Sequence, residues 1–199
     1  MRVISGAARG RSLRATADTR PTADLVKGAM FSMLEALAYK RGYEPDPDGN
    51  FAAAQAWPRV LDLFAGSGAL GIEALSRGAQ SADFLEQDRQ AGRIIEANLR
   101  ATGLAGQARV HVAPVLAGLG RLHGPYDVVF IDPPYAEHEL LTQTVERIGA
   151  SDLLTSHSVV VLEQPNEDQP PGSIGQLPML HTRRHGRTRI TLYAAPGPF

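Results

Sequence analysis

Apolar positions along this chain come in short unbroken runs separated by stretches with helical spacing, a pattern that predicts alternating strands and helices. Val60, Leu61, Leu63 and Phe64 form one run suited to a central strand covered on both faces. Gly66, Gly68 and Gly71 then predict a tight turn, with a helix over 70–77 packed closely behind it. Ser81 to Glu86 reads as the next strand, after which Asp88 caps a helix to about Thr102 and Gly103 stops it. Strands follow at Arg109 to Val112, Tyr126 to Ile131 and Ser158 to Glu163, with helices at Val115 to Leu122 and Glu139 to Ile148 between them. Strands separated by helices imply right-handed parallel crossovers and a doubly wound α/β sheet. Leu177 to Thr182 and Thr188 to Ala194 predict a closing antiparallel pair joined through Arg183 to Arg187.

The pattern ahead of the first central strand is different. Arg2 to Ser5 and Arg11 to Ala15 alternate only partly around Gly6 to Gly10, which predicts a small hairpin unable to bury a core alone. Pro21 and Thr22 open a helix, Thr22 as its cap, whose face carries Val26, Ala29, Met30, Met33, Leu34 and Leu37. From Gly42 to Pro58 the chain reads as an exposed irregular loop, with Trp57 covering the core edge. The expected organisation is a basic hairpin extension over 1–20 and one domain over 21–199.

Composition sets limits on partners. No apolar run reaches the roughly 20 residues of a membrane span, and no signal-peptide core opens the chain. There is no cysteine, hence no disulfide framework or thiolate metal site, and a cytoplasmic location without membrane or metal partners is expected. The net charge of −1 hides two basic stretches. Arg2, Arg9, Arg11, Arg14, Arg20 and Lys27 face only Asp18 and Asp24 over residues 1–27, and Arg183, Arg184, Arg187 and Arg189 stand without an acidic residue from His181 to Leu192. Such patches suit a polyanion or simply a solvated face.

Two motifs carry chemistry. Gly66-Ser67-Gly68-Ala69-Leu70-Gly71 fits the nucleotide pattern G-x-G-x-x-G, and Glu86 ends the next strand 20 residues after Gly66, where a carboxylate accepts ribose hydroxyls. N–H groups at the helix start favour an anionic ligand group. Nicotinamide dinucleotides and S-adenosylmethionine both use this geometry. Asp62 favours the second, since its carboxylate would repel a diphosphate and attract a methionine ammonium. The second motif, Asp132-Pro133-Pro134-Tyr135, follows an apolar strand at the ligand-binding edge of the sheet. Its prolines stiffen the chain, leaving a carboxylate, aimed carbonyls and an aromatic ring, a set that holds a planar amine. The motif alone does not separate adenine, cytosine, guanine or a glutamine amide.

Together, Asp-Leu-Phe-Ala-Gly-Ser-Gly and the downstream Asp-Pro-Pro-Tyr resemble S-adenosylmethionine-dependent methyltransferases of exocyclic amino groups. Met-Arg-Val-Ile-Ser-Gly, Arg-Gly-Arg at 9 to 11, Arg20-Pro21-Thr22, Phe31 and Leu61 through Gly78 narrow the resemblance to bacterial 16S rRNA guanine-N2 methyltransferases of the RsmD type. That resemblance implies a Rossmann-like sheet of about seven strands with the last antiparallel. It implies S-adenosylmethionine as donor and a guanine of 16S ribosomal RNA, in the 30S subunit or an assembly intermediate, as acceptor for a monomeric enzyme. Asp132, Pro133 and Tyr135 would serve catalysis, and Asp62, Phe64, Ala65, Gly66, Ser67, Gly68, Glu86, Gln87 and Val115 the cofactor. Many such enzymes carry an acidic or amide side chain near the adenine, where this chain has Ala113-Pro114-Val115. Arg2, Arg9, Arg11, Arg20, Thr22, Arg183, Arg184 and Arg187 are expected to flank the pocket and hold RNA. Two other readings stay open: an NAD-dependent oxidoreductase, and an RNA-binding module on a degenerate methyltransferase fold.

Overall fold

The computed structural model describes residues 1–15 and 24–197. Its framework is an eight-stranded sheet in the order β3-β2-β1-β4-β5-β8-β7-β6, with β1 at Arg59–Leu63, β2 at Ser81–Glu86, β3 at Ala108–Val112, β4 at Val128–Ile131, β5 at Val159–Pro165, β6 at Ser173–Ile174, β7 at Leu177–His185 and β8 at Thr188–Ala194. The first five strands in that order are parallel, and β8 runs antiparallel to β5. This is the expected Rossmann-like sheet, widened by β6, a two-residue strand folded back on β7.

Side-chain alternation along the strands divides the core into two. Leu61, Leu63, Leu85, Ile131, Val160 and Leu162 face α5 (Val115–Leu119) and α6 (His138–Gly149). Val60, Phe84, Phe130 and Val161 face the other side, covered by α1 (Asp24–Lys40), α2 (Ala52–Ala56), α3 (Ala69–Ser76) and α4 (Arg89–Thr102). Phe31 of α1 meets Phe130 of β4 with ring centroids 5.4 Å apart. The helix α2 lies inside the stretch expected to be loop. Its Ala52 and Ala53 N–H groups donate to the Glu35 carboxylate of α1, which supplies the cap that no neighbouring side chain provides. Trp57 is buried at the core edge with the Arg41 guanidinium 5.5 Å from its ring.

The N-terminal residues pair around an Arg2–Ser12 bridge and lie on α1 and α3. Glu73 of α3, fully buried, accepts from the Ile4 and Ser5 N–H groups and pairs with the fully buried Lys27 ammonium at 3.1 Å. Lys27 also donates to the Arg2 carbonyl at 2.6 Å. The Thr22 cap and Arg20 lie outside the described residues. Among the described residues no helix is long and apolar enough to cross a membrane.

Candidate active site

Between β1 and β4 the strand order reverses, and neighbouring loops diverge at such a switch point. A cleft of about 330 Å³ opens there over the carboxyl ends of β2, β1, β4 and β5. Its two ends differ in construction.

At the first end, β1 turns sharply into α3. Phe64 takes φ 61, a left-handed conformation unfavourable for a bulky residue, and Gly66 and Gly68 continue the turn at φ 55 and φ 78. Gly71 lets α3 settle on β2, since a Cβ there would stand 2.4 Å from the Phe84 ring. Asp62 and Glu86 fasten this turn. Asp62 Oδ2 accepts from the Gly71 N–H at 2.9 Å, while the Glu86 carboxylate accepts from Gly66 at 2.7 Å and from Asp88 at 2.8 Å. Two backbone donors of the turn, the Gly66 and Gly71 N–H groups, are thereby taken up by the chain's own carboxylates. Burial pushes the Asp62 carboxyl well above its ordinary range; the Gly71 hydrogen bond opposes that, and the charges of Asp132 and Glu86 add to it. A bound cation would relieve this crowding. Among the described residues no group of His, Asp or Glu side chains is arranged to hold a metal ion.

Asp62, Phe64, Ala65, Gly66, Ser67, Glu86 and Gln87 all line the cleft. Gly68 stands behind it as the cap of α3. Val115 does not reach it: as the first residue of α5 it points its apolar side chain into the core with Leu85 and Leu119.

The second end is assembled from distant segments. Asp132, Pro133, Pro134 and Tyr135 leave β4 along the cleft wall. The Tyr135 hydroxyl lies 2.7 Å from Thr188 Oγ1 on β8 and donates to Glu163 Oε1 on β5 at 3.2 Å. Glu163 is 1% exposed and lines the same cleft. It is not among the residues expected from sequence, although a carboxylate near the carboxyl end of an apolar strand, here after Val159 to Leu162, is the kind of signal that singles out Asp62.

Comparison with known proteins gives the same reading of the fold. The family described as Conserved hypothetical protein 95 matches residues 1–194. YlbH of Bacillus subtilis, named for rRNA methyltransferase activity, is 35% identical over 99% of this chain and 100% of its own length. Ribosomal RNA small subunit methyltransferase D of Escherichia coli K12 is 34% identical over 86% of this chain and 78% of its own. The chain belongs to the RsmD-type methyltransferase family. Among solved structures, one described as methyltransferase yhhF of Escherichia coli superposes with a TM-score of 0.78 at 31% identity, covering 97% of this chain and 96% of that one. A hypothetical protein of Thermus thermophilus gives 0.77 at 31% identity, covering 98% and 99%.

In this RsmD-type chain the arginines expected around the cleft are distributed unequally. Arg183 and Arg184 belong to β7 itself rather than to a turn, and only Gly186 and Arg187 connect β7 to β8. Arg187 adjoins Thr188, which pairs with Pro165 at the carboxyl end of β5, so this hairpin tip borders the cleft. Arg2 and Arg11 are exposed on the N-terminal pairing, where Met1 Sδ meets Ser67 Oγ at 3.6 Å. Arg9 is carried away: the Ala7 and Ala8 N–H groups bond Ser76 at the far end of α3. Eight helical residues, about 12 Å, separate that end from the glycine turn.

Proposed function

We propose that this chain transfers a methyl group from S-adenosylmethionine to the exocyclic N2 of a guanine in small-subunit ribosomal RNA. The observation that carries the reading is one cleft holding both a turn whose carboxylates call for a cation and the Asp-Pro-Pro-Tyr motif. The names of the relatives, rRNA methyltransferases, support RNA as the acceptor class. When bound, S-adenosylmethionine supplies a methyl group on a positively charged sulfur. Asp62 would hold its ammonium and Glu86 its ribose hydroxyls.

Asp132 and the Pro133 carbonyl accept the N–H groups of the amine, drawing its lone pair out of conjugation and aiming it down the cleft. Orientation and electrostatic fit supply most of the acceleration, and Asp132 receives the departing proton. The Tyr135 ring gives a stacking surface, worth about 1–3 kcal/mol per base. A base reaching this cleft has left its helix, so the target is a loop or flipped nucleotide. Phosphates would lie along the β7–β8 tip and the exposed N-terminal arginines, and affinity would fall with salt at a log–log slope of roughly −0.7 to −0.9 per phosphate.

The test combines titration and transfer. S-adenosylmethionine should bind and NAD should not, and tritiated methyl should enter small subunits from a strain lacking this protein, appearing as N2-methylguanosine after digestion. Binding of NAD in its place, or label in another nucleoside, would overturn the proposal.

A further inference from the structure

We infer that Glu163 is the residue that selects guanine, accepting the ring N1–H beside the amine held by Asp132. The inference rests on the amine-holding reading of the cleft and adds the feature that reading lacks, a means of telling one amino base from another. Four carboxylates line the cleft in the order Glu86, Asp62, Asp132 and Glu163, on β2 and β1, directly after β4, and on β5. With strands about 4.8 Å apart, the row spans about 14 Å. Ile131 pairs with Leu162, so Asp132 and Glu163 sit side by side, each one residue further along its chain. Alternation puts Glu163 on the face shared by Val161 and Phe130, the face α1 covers. Its carboxylate is buried and lines the cleft, and the Tyr135 hydroxyl fixes one of its oxygens.

Base chemistry makes this placement selective. Adenine and cytosine carry their amino groups beside bare ring nitrogens, which a carboxylate repels. Guanine carries N2 beside the N1–H donor, so a second acceptor next to the amine acceptor matches guanine alone among the four bases. A site built to hydrogen-bond a donor rejects analogues lacking it, because its own polar group is left unpaired.

The experiment compares small subunits reconstituted with RNA in which the mapped target guanine is kept or replaced by 2-aminopurine, which retains the amine but has a bare N1. The native enzyme should favour guanine by roughly 10–100-fold, the worth of one hydrogen bond to a charged group. Glu163→Gln should lose activity on guanine and shrink that preference to about threefold or less, because an amide offers both a donor and an acceptor. Donor affinity, read by calorimetry, should stay unchanged in the variant and so report an intact fold. Equal native rates on the two bases, or a variant that keeps the native preference, would overturn the Glu163 assignment while leaving the amine-holding reading in place. A methyl group mapped to the amine of another base would overturn the Glu163 assignment and the choice of guanine, and one mapped to a ring atom or a ribose would overturn the amine-holding reading as well.

Discussion

The two ends of the cleft hold carboxylates by opposite means. At the glycine turn the carboxylates of Asp62 and Glu86 accept from backbone N–H groups no more than 20 residues away, Gly66 to Glu86 being the longest of these bonds, and Asn98 of α4 adds a longer tie by donating to the Ser67 carbonyl at 2.9 Å. At the other end the bonds join side chains across 28 and 53 residues, from Tyr135 to Glu163 and Thr188. A local, backbone-held end forms wherever β1, α3 and β2 form. The distant end exists only once β5 and β8 have paired.

That contrast can be broken at its mount. Glu73→Ala removes the partner of the fully buried Lys27 and the acceptor for Ile4 and Ser5. Leaving a buried charge uncompensated should cost about 3–5 kcal/mol. Denaturant unfolding should show it, with faster amide exchange at Ile4 and Ser5. Gly71→Ala attacks the glycine turn itself. Its Cβ would be driven into the Phe84 ring, with an overpacking cost of about 1–3 kcal/mol, and donor affinity should fall while RNA affinity persists.

Smaller effects sharpen the comparison through pH. Asp62 has a raised pKa in the fold, chiefly from burial, with Asp132 and Glu86 adding to it. The native state therefore holds a proton that the unfolded state releases, and without ligand stability falls as pH rises from the ordinary carboxylate range through the raised value. A cationic ligand favours the ionised form, so donor affinity should climb over the same interval and then level off. Asp62→Asn should flatten both curves, as calorimetry across pH would show.

How much of this was legible in sequence follows the same division. β2 and the α4 cap at Asp88, which accepts from Ala91, were readable because their signals are local. The helix α2 was not, since its cap comes from Glu35 on another element. β6 was not, since it depends on Gly175 turning at φ 57 against Gly149. Arg183 and Arg184 read as turn residues in the sequence because charge resembles a loop signal, whereas an exposed strand near the sheet edge carries charge equally well. The motif at Asp132 is legible in sequence, and Glu163 carries the signal of a carboxylate ending an apolar run, but only strand pairing shows that the two are neighbours across the sheet.

The most direct test of the divided cleft is the Asp132→Ala variant, with donor affinity and methyl transfer to small subunits measured on one preparation. The account predicts donor binding within about twofold of the native protein and transfer reduced by at least about 100-fold. Turnover that survives, or donor binding lost together with turnover, would contradict it.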